Sequence, residues 1–167
     1  LVYTGAVNQT AHGTLSTTRD VLRAYPVVLP GGVIDTVYME ATAVVANAVG
    51  RCGIYTNAND NAPYPAARLC DSGELALATA VVRSASVTVP HAPGLYWFVT
   101  LTGTADPTLR AIAVGGMSHI LGMSSAFARQ FYYEVAFAYA ALPATFPDSA
   151  TFEGTDACPL MAVHYGS

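Results

Sequence analysis

A reactive centre in this chain would have to be assembled from few groups. Ser118 and His119 are adjacent inside a stretch rich in glycine (Gly115, Gly116 and Gly122), but neighbours on a chain point apart. No GxSxG turn sets a serine beside a histidine and an acid. His12, His91, His119 and His164 lie far apart, without HxH or HExxH spacing, so no metal site is assigned. Glu40, Glu134 and Glu153 are the carboxylate type a glycosidase needs, with nothing that pairs them. Glu134 stands out because aromatics and alanines surround it on a pattern that reads as buried. A paired or interfacial carboxylate is the expectation there, and an acid of raised pKa the functional alternative. The run Asn57-Ala58-Asn59-Asp60-Asn61 clusters oxygens, yet it holds one carboxylate and lacks EF-hand spacing, so an exposed turn is expected rather than a calcium loop. Cys52, Cys70 and Cys158 form neither a disulfide framework nor a CxxC site. Buried thiols are expected, with a Cys52–Cys70 pair across neighbouring strands as the alternative. There is no phosphate-cradling loop and no dinucleotide fingerprint. The chain is therefore read as a non-enzyme, with no catalytic residue, no metal and no cofactor.

Composition narrows the classes further. Hydrophobic residues make up 53% of the 167 residues and charged residues only 11%, against roughly 25% charge in an ordinary soluble domain. So apolar a chain implies that part of its outside is covered by another chain. The basic residues are seven arginines scattered singly from Arg19 to Arg129, and the net charge is −4. Nucleic-acid binding is thereby disfavoured. Apolar runs such as Ala136 to Leu142 fall short of the roughly 20 residues a membrane span needs. The opening Leu-Val-Tyr has no initiator methionine and no signal-like region, which suits a processed protein or a piece of a longer one.

The elements that would position these groups are strands. Leu95, Trp97, Val99 and Leu101 alternate with Tyr96, Phe98 and Thr100 after a Pro93-Gly94 turn, and the tryptophan set is expected to face the core. Residues 1–19 read as an N-terminal arm. Leu22 to Leu29 contains Pro26 and is expected at a sheet edge. Val33 to Val45 and Ser84 to Val89 alternate cleanly, Arg51 to Tyr55, Ala67 to Cys70 and Glu74 to Ala80 read as short strands, and Gly115 to Ser125 as a long loop. In Phe127 to Leu142 the alanines favour helix, but Phe131, Tyr133, Val135, Phe137 and Tyr139 recur at every second position, which decides for strand. Many short strands without an amphipathic helix predict a single all-β domain, an antiparallel β-sandwich of jelly-roll type.

Three stretches give the chain a family likeness: Gly53-Ile54-Tyr55 followed by a polar loop with prolines and then Leu69, Asp71 and Gly73; Pro93-Gly94-Leu95-Tyr96-Trp97-Phe98; and Ala141-Leu142-Pro143-Ala144-Thr145-Phe146-Pro147 with Pro159 and the terminal strand. Together they resemble a β-sandwich module of tailed-bacteriophage virion proteins, of tail-fibre, tail-tip or capsid-decoration type. The resemblance implies a structural component located in the virion. Such a component is homo-oligomeric or packed on other virion proteins, and its loops contact a host glycan or other receptor. It carries over no catalytic residue. A carbohydrate-binding module of a secreted protein, using Tyr55 or Tyr64 as sugar platforms, is the alternative.

Two surfaces follow from the pattern. The loop from Asn57 to Pro65 is expected to be exposed and to offer Asn59, Asp60 and Tyr64 to a receptor, Tyr64 being stiffened between two prolines. The even positions Tyr132, Glu134, Ala136, Ala138 and Ala140 are expected on an outer face, where small side chains let another backbone approach. A homotrimer is the favoured assembly.

Overall fold

The structure, a computed structural model, describes residues 2–3, 12–59, 61–113, 132–154 and 157–166. Alternating sequence becomes strands: β1 (Val2–Tyr3), β2 (His12–Ser16), β3 (Val21–Leu29), β4 (Gly32–Ala41), β5 (Val49–Asn57), β6 (Pro65–Asp71), β7 (Leu75–Ala76), β8 (Val81–His91), β9 (Gly94–Gly103), β10 (Thr108–Ala113), β11 (Tyr132–Ala136), β12 (Thr151–Glu153), β13 (Ala157–Pro159) and β14 (Met161–Tyr165). They form two antiparallel sheets, so the protein is an all-β sandwich. One sheet runs β12-β11-β3-β9-β5-β6, with β7 on β5. The other runs β1-β14-β4-β10-β13, with β8 on β4 and β2 on β10. Val2–Tyr3 and His12–Ser16 thus place part of the expected arm in a sheet.

Tyr25, Val27, Leu29, Ile34, Val37, Met39, Ile54, Phe98, Met161 and Val163 fill the space between the sheets. A second core lies on the outer face of the β3–β9–β5 sheet and gathers Leu22, Ala24, Tyr55, Trp97, Val99 and Leu101 under Leu142 and Phe146. Trp97 is buried, as the alternation predicts, but its face is the outer one. Phe98 on the opposite face, also buried, points between the sheets. The two faces of β9 are both apolar because each has its own cover.

Other expectations are corrected by the pairing. β3 is not an edge strand: β9 pairs along it from Leu22 to Leu29, and β11 pairs with it on the other side. Pro26 is tolerated because the β11 ladder reaches only Ala24, so no hydrogen bond is required of the proline nitrogen there. The expected strand from Phe127 ends at Ala136, and residues 137–150 form an irregular strap whose odd side chains, Phe137 and Tyr139, still turn onto the second core. The strand expected from Glu74 to Ala80 shrinks to β7. The loop from Gly115 to Ser125, with Ser118 and His119, lies outside the described residues.

Cys52 and Cys70 are free thiols, and Cys158 is buried. On β6 the residue opposite Ile54 is Cys70, while the backbone N–H of Cys52 donates to Ser72 Oγ at 3.0 Å, so the two cysteines are not direct cross-strand partners. Burial pushes the Cys52 thiol up to about 12 and that of Cys70 up to about 11, from an ordinary value of 9.0. A thiol whose folded pKa is raised stabilises the fold fully below its unfolded pKa, and this contribution is lost as pH climbs toward the folded value. Stability is therefore expected to decline above about pH 9. At pH 8 a thiol-exchange reagent should label the native protein far more slowly than the denatured one. Fast native labelling of Cys52 would contradict its burial.

Trp97→Ala should cost about 3–5 kcal/mol in urea unfolding, since it empties the centre of the second core.

Candidate functional site

The sequence motifs and the candidate loop meet at the second core. Residues 137–150 cross the outer sheet face and are tied at both ends and in the middle. Phe137 N–H donates to the Asp20 carbonyl at 2.8 Å and Tyr139 N–H to Asp20 Oδ1 at 2.8 Å. Leu142 N–H donates to Asp71 Oδ2 at 2.9 Å, and Tyr55 Oη donates to the Pro143 carbonyl at 2.5 Å. Further along, Phe146 N–H donates to the Ala66 carbonyl and Arg68 N–H to that of Ala144, both at 2.9 Å, so the strap also closes the outer edge of β6.

Asp71 is the hub of these ties. Its Oδ2 accepts from Arg51 Nη1 at 2.9 Å as well as from Leu142, and its Oδ1 accepts from Gly73 N–H at 2.9 Å. Arg68 Nη1 stands 3.8 Å from the same carboxylate and donates to the Leu142 carbonyl. The Arg51 guanidinium lies over the Tyr139 ring, 5.9 Å from its centroid. Two glycines make room: a Cβ on Gly53 would strike the Cys70 carbonyl and Leu142, and one on Gly103 would strike the Tyr139 ring.

The candidate recognition loop is pinned to the same core. Asn57 Oδ1 accepts from the Trp97 indole Nε1 and from Tyr64 N–H, each at 3.1 Å, while Asn57 Nδ2 donates to the Asn59 carbonyl at 2.8 Å. Tyr64 is no free presenter. Its hydroxyl donates to the Pro147 carbonyl at 2.6 Å, and its ring meets Tyr133 edge-on at 4.6 Å between centroids. Burial raises the Tyr64 and Tyr55 phenols, which therefore stay neutral donors. Tyr55 is wholly buried, so neither tyrosine is an exposed sugar platform. The loop's tip is exposed at Ala58, Asn59, Asn61 and Ala62, with Asn59 Oδ1 accepting from Ala62 N–H at 2.6 Å. Asp60 lies outside the described residues.

The expected outer row divides. Tyr132 is buried between the sheets and stacks on Tyr25 at 5.2 Å, so it belongs to the interior. The reason is the pleat: on β11 the even positions turn to the inter-sheet side, where Tyr132 is covered and Ala136, the last residue of the strand, is already exposed. Glu134 is paired with Arg23 Nε at 2.9 Å, the structural alternative anticipated for it. Ala136, Ala138 and Ala140 are exposed. The described histidines stay apart in function: His164 Nδ1 meets Asp35 Oδ1 at 2.8 Å and holds that carboxyl below its ordinary value, whereas His91 contacts Tyr165 Oη at 3.0 Å. Among the described residues no three His, Cys, Asp or Glu side chains are grouped as a metal site.

Compared with known proteins, the chain matches no family model, no curated protein and no solved structure. The residues that sequence reasoning passed over are Asn57, Arg51 and Arg68. Asp71 was visible only as part of a motif, since nothing local tells which backbone a lone carboxylate will bond.

Asp71→Asn should destabilise the protein by about 1–3 kcal/mol, the range for hydrogen bonds to charged groups. Hydrogen exchange at the Leu142 amide should accelerate at the same time. An unchanged exchange rate there would deny Asp71 its role in holding the strap.

Proposed function

We propose that this chain is a structural module of a tailed-bacteriophage virion, carried in an assembly of subunits, with the tip of the Asn57–Pro65 loop turned toward a host surface. The observation that carries this reading is where the three resembling stretches lie. Gly53 and Tyr55, Asp71 and Gly73, Trp97, and Leu142 to Pro147 come together in one packed unit, the second core with its strap and ties. In that unit their polar groups hold backbone in place, which is what a structural module asks of its recurrent residues.

The outer surface supports the assembled state. Ala136, Ala138, Ala140 and Ala141 form an exposed row of small apolar side chains on the strap side, suited to close approach by a neighbouring subunit. At the loop, Asn59 and Asn61 offer amides that can both donate and accept, the chemistry that reads glycan hydroxyls, on a backbone already ordered by Asn57. Tyr64 serves this surface by fixing the loop rather than by touching the receptor.

Light scattering coupled to size exclusion tests the assembly. The wild-type chain should run as an oligomer, and Ala138→Glu should reduce its mass while leaving the melting temperature nearly unchanged. A wild-type monomer at high concentration would defeat the reading.

A further inference from the structure

The two long edges of the sandwich on the β6 and β8 side are treated differently. The edge of β6 is closed by the strap, through the Ala67–Thr145 bridge and the flanking hydrogen bonds to Ala66 and Ala144. The edge of β8 is not: among the described residues β4 is the one strand that β8 pairs with. A strand of this length leaves alternate N–H and C=O groups pointing outward, and these recognise another extended strand. Natural edges are usually guarded by charge, proline or a bulge. In β8 the bulge lies between Ser86 and Val89, opposite Asp35, and Pro90 lies beyond it, so both guards sit at one end. Val81 to Ser86 pairs with Ala41 to Thr36 without a shift. The single charge there, Arg83, is turned back: its Nε donates to the Ala76 carbonyl at 2.7 Å and its Nη2 to Thr79 Oγ1 at 2.9 Å. Two valines stand in water beside it, Val81 at 39% and Val82 at 54% exposure.

We infer that Val81–Ser86 is a self-association edge, at which the same stretch of a second copy of this chain pairs antiparallel about a twofold axis that passes at Ser84. The chemistry of the stretch selects a second copy. With the twofold axis at Ser84, Ser84 faces its own copy, Arg83 faces Ala85 and Val82 faces Ser86, so no like charges stand directly opposite and each arginine keeps its ties within its own chain. A partner strand carrying charges would lose their hydration against valine and serine, and Arg83, the one charge of the stretch, already donates to Ala76 and Thr79 within its own chain. This contact is distinct from the alanine row and does not depend on the virion reading.

The test combines mass with location. Light scattering of the purified chain over a range of concentrations should show self-association, and amide hydrogen exchange of Val81–Ser86 should slow as the associated form fills. Val82→Lys, at an exposed position, should weaken the association by about tenfold or more, with circular dichroism and melting retained. Ser84→Glu should do the same, and it replaces Val82→Lys if the latter fails to fold. Exchange at these amides that does not change with concentration overturns the inference, whatever the variants do. An oligomer that Val82→Lys leaves intact and Ala138→Glu breaks also overturns it, while leaving the assembly through the alanine row standing.

Discussion

The constraint on which the rest of this structure depends is the burial of β9 on both faces. A strand whose alternate residues are Tyr96, Phe98 and Thr100 on one side and Trp97, Val99 and Leu101 on the other cannot lie in a simple two-layer sandwich without wetting one set. The opposing sheet covers the first set. The second needs a further layer, and the strap of residues 137–150 supplies it, with Leu142 and Phe146 buried in the same cluster as Trp97. Once the strap is required, so are its seats at Gly53 and Gly103 and its ties to Asp20, Tyr55 and Asp71. The irregular backbone of the strap lacks a ladder of its own, and each amide it buries must be bonded from below.

How legible this was differs from residue to residue. Period-2 alternation identified the strands and the all-β class, because side-chain direction on a strand is fixed by local geometry. It could not say which face of β9 met the other sheet, since both faces were apolar and the choice is made by distant residues. Pro26 was read as an edge signal, a rule about hydrogen bonds on one side of one residue. It fails here because the neighbouring ladder stops short of it. The alternation of Phe131 to Tyr139 marked a real orientation that outlasts the strand, as Phe137 and Tyr139 stay turned to the core after pairing with β3 ends at Ala136. The tie of Tyr64 is not legible in sequence, because two flanking prolines describe the stiffness of a loop and say nothing of the Pro147 carbonyl that accepts from its hydroxyl.

The few charges are used as internal ties. Arg23 pairs with Glu134, Arg51 with Asp71, Arg110 with Glu40, and Arg68 holds the Leu142 carbonyl. Arg19 reaches the Thr104 carbonyl and Arg83 that of Ala76. Each described arginine therefore has a partner in its own chain, and what it contributes is position more than surface potential. Single exposed pairs of this kind are worth little, about 0–1 kcal/mol each. Asp71 differs because one carboxylate there organises two guanidiniums and two backbone amides, a network rather than a pair.

This economy changes how the apolar composition is to be understood. A chain with 53% hydrophobic and 11% charged residues suggests, on composition alone, a surface hidden by a partner. Two cores in place of one absorb much of that excess inside the molecule, including Trp97, Tyr55, Phe146 and Leu142, which a single-core sandwich would have left outside. What remains apolar and exposed is then local: alanines where the chain leaves β11, and valines along the regular part of β8. Small side chains and an open backbone edge favour contacts made by main chain over contacts made by large anchors. Main-chain contacts fix geometry by register, because each outward N–H must meet a particular C=O.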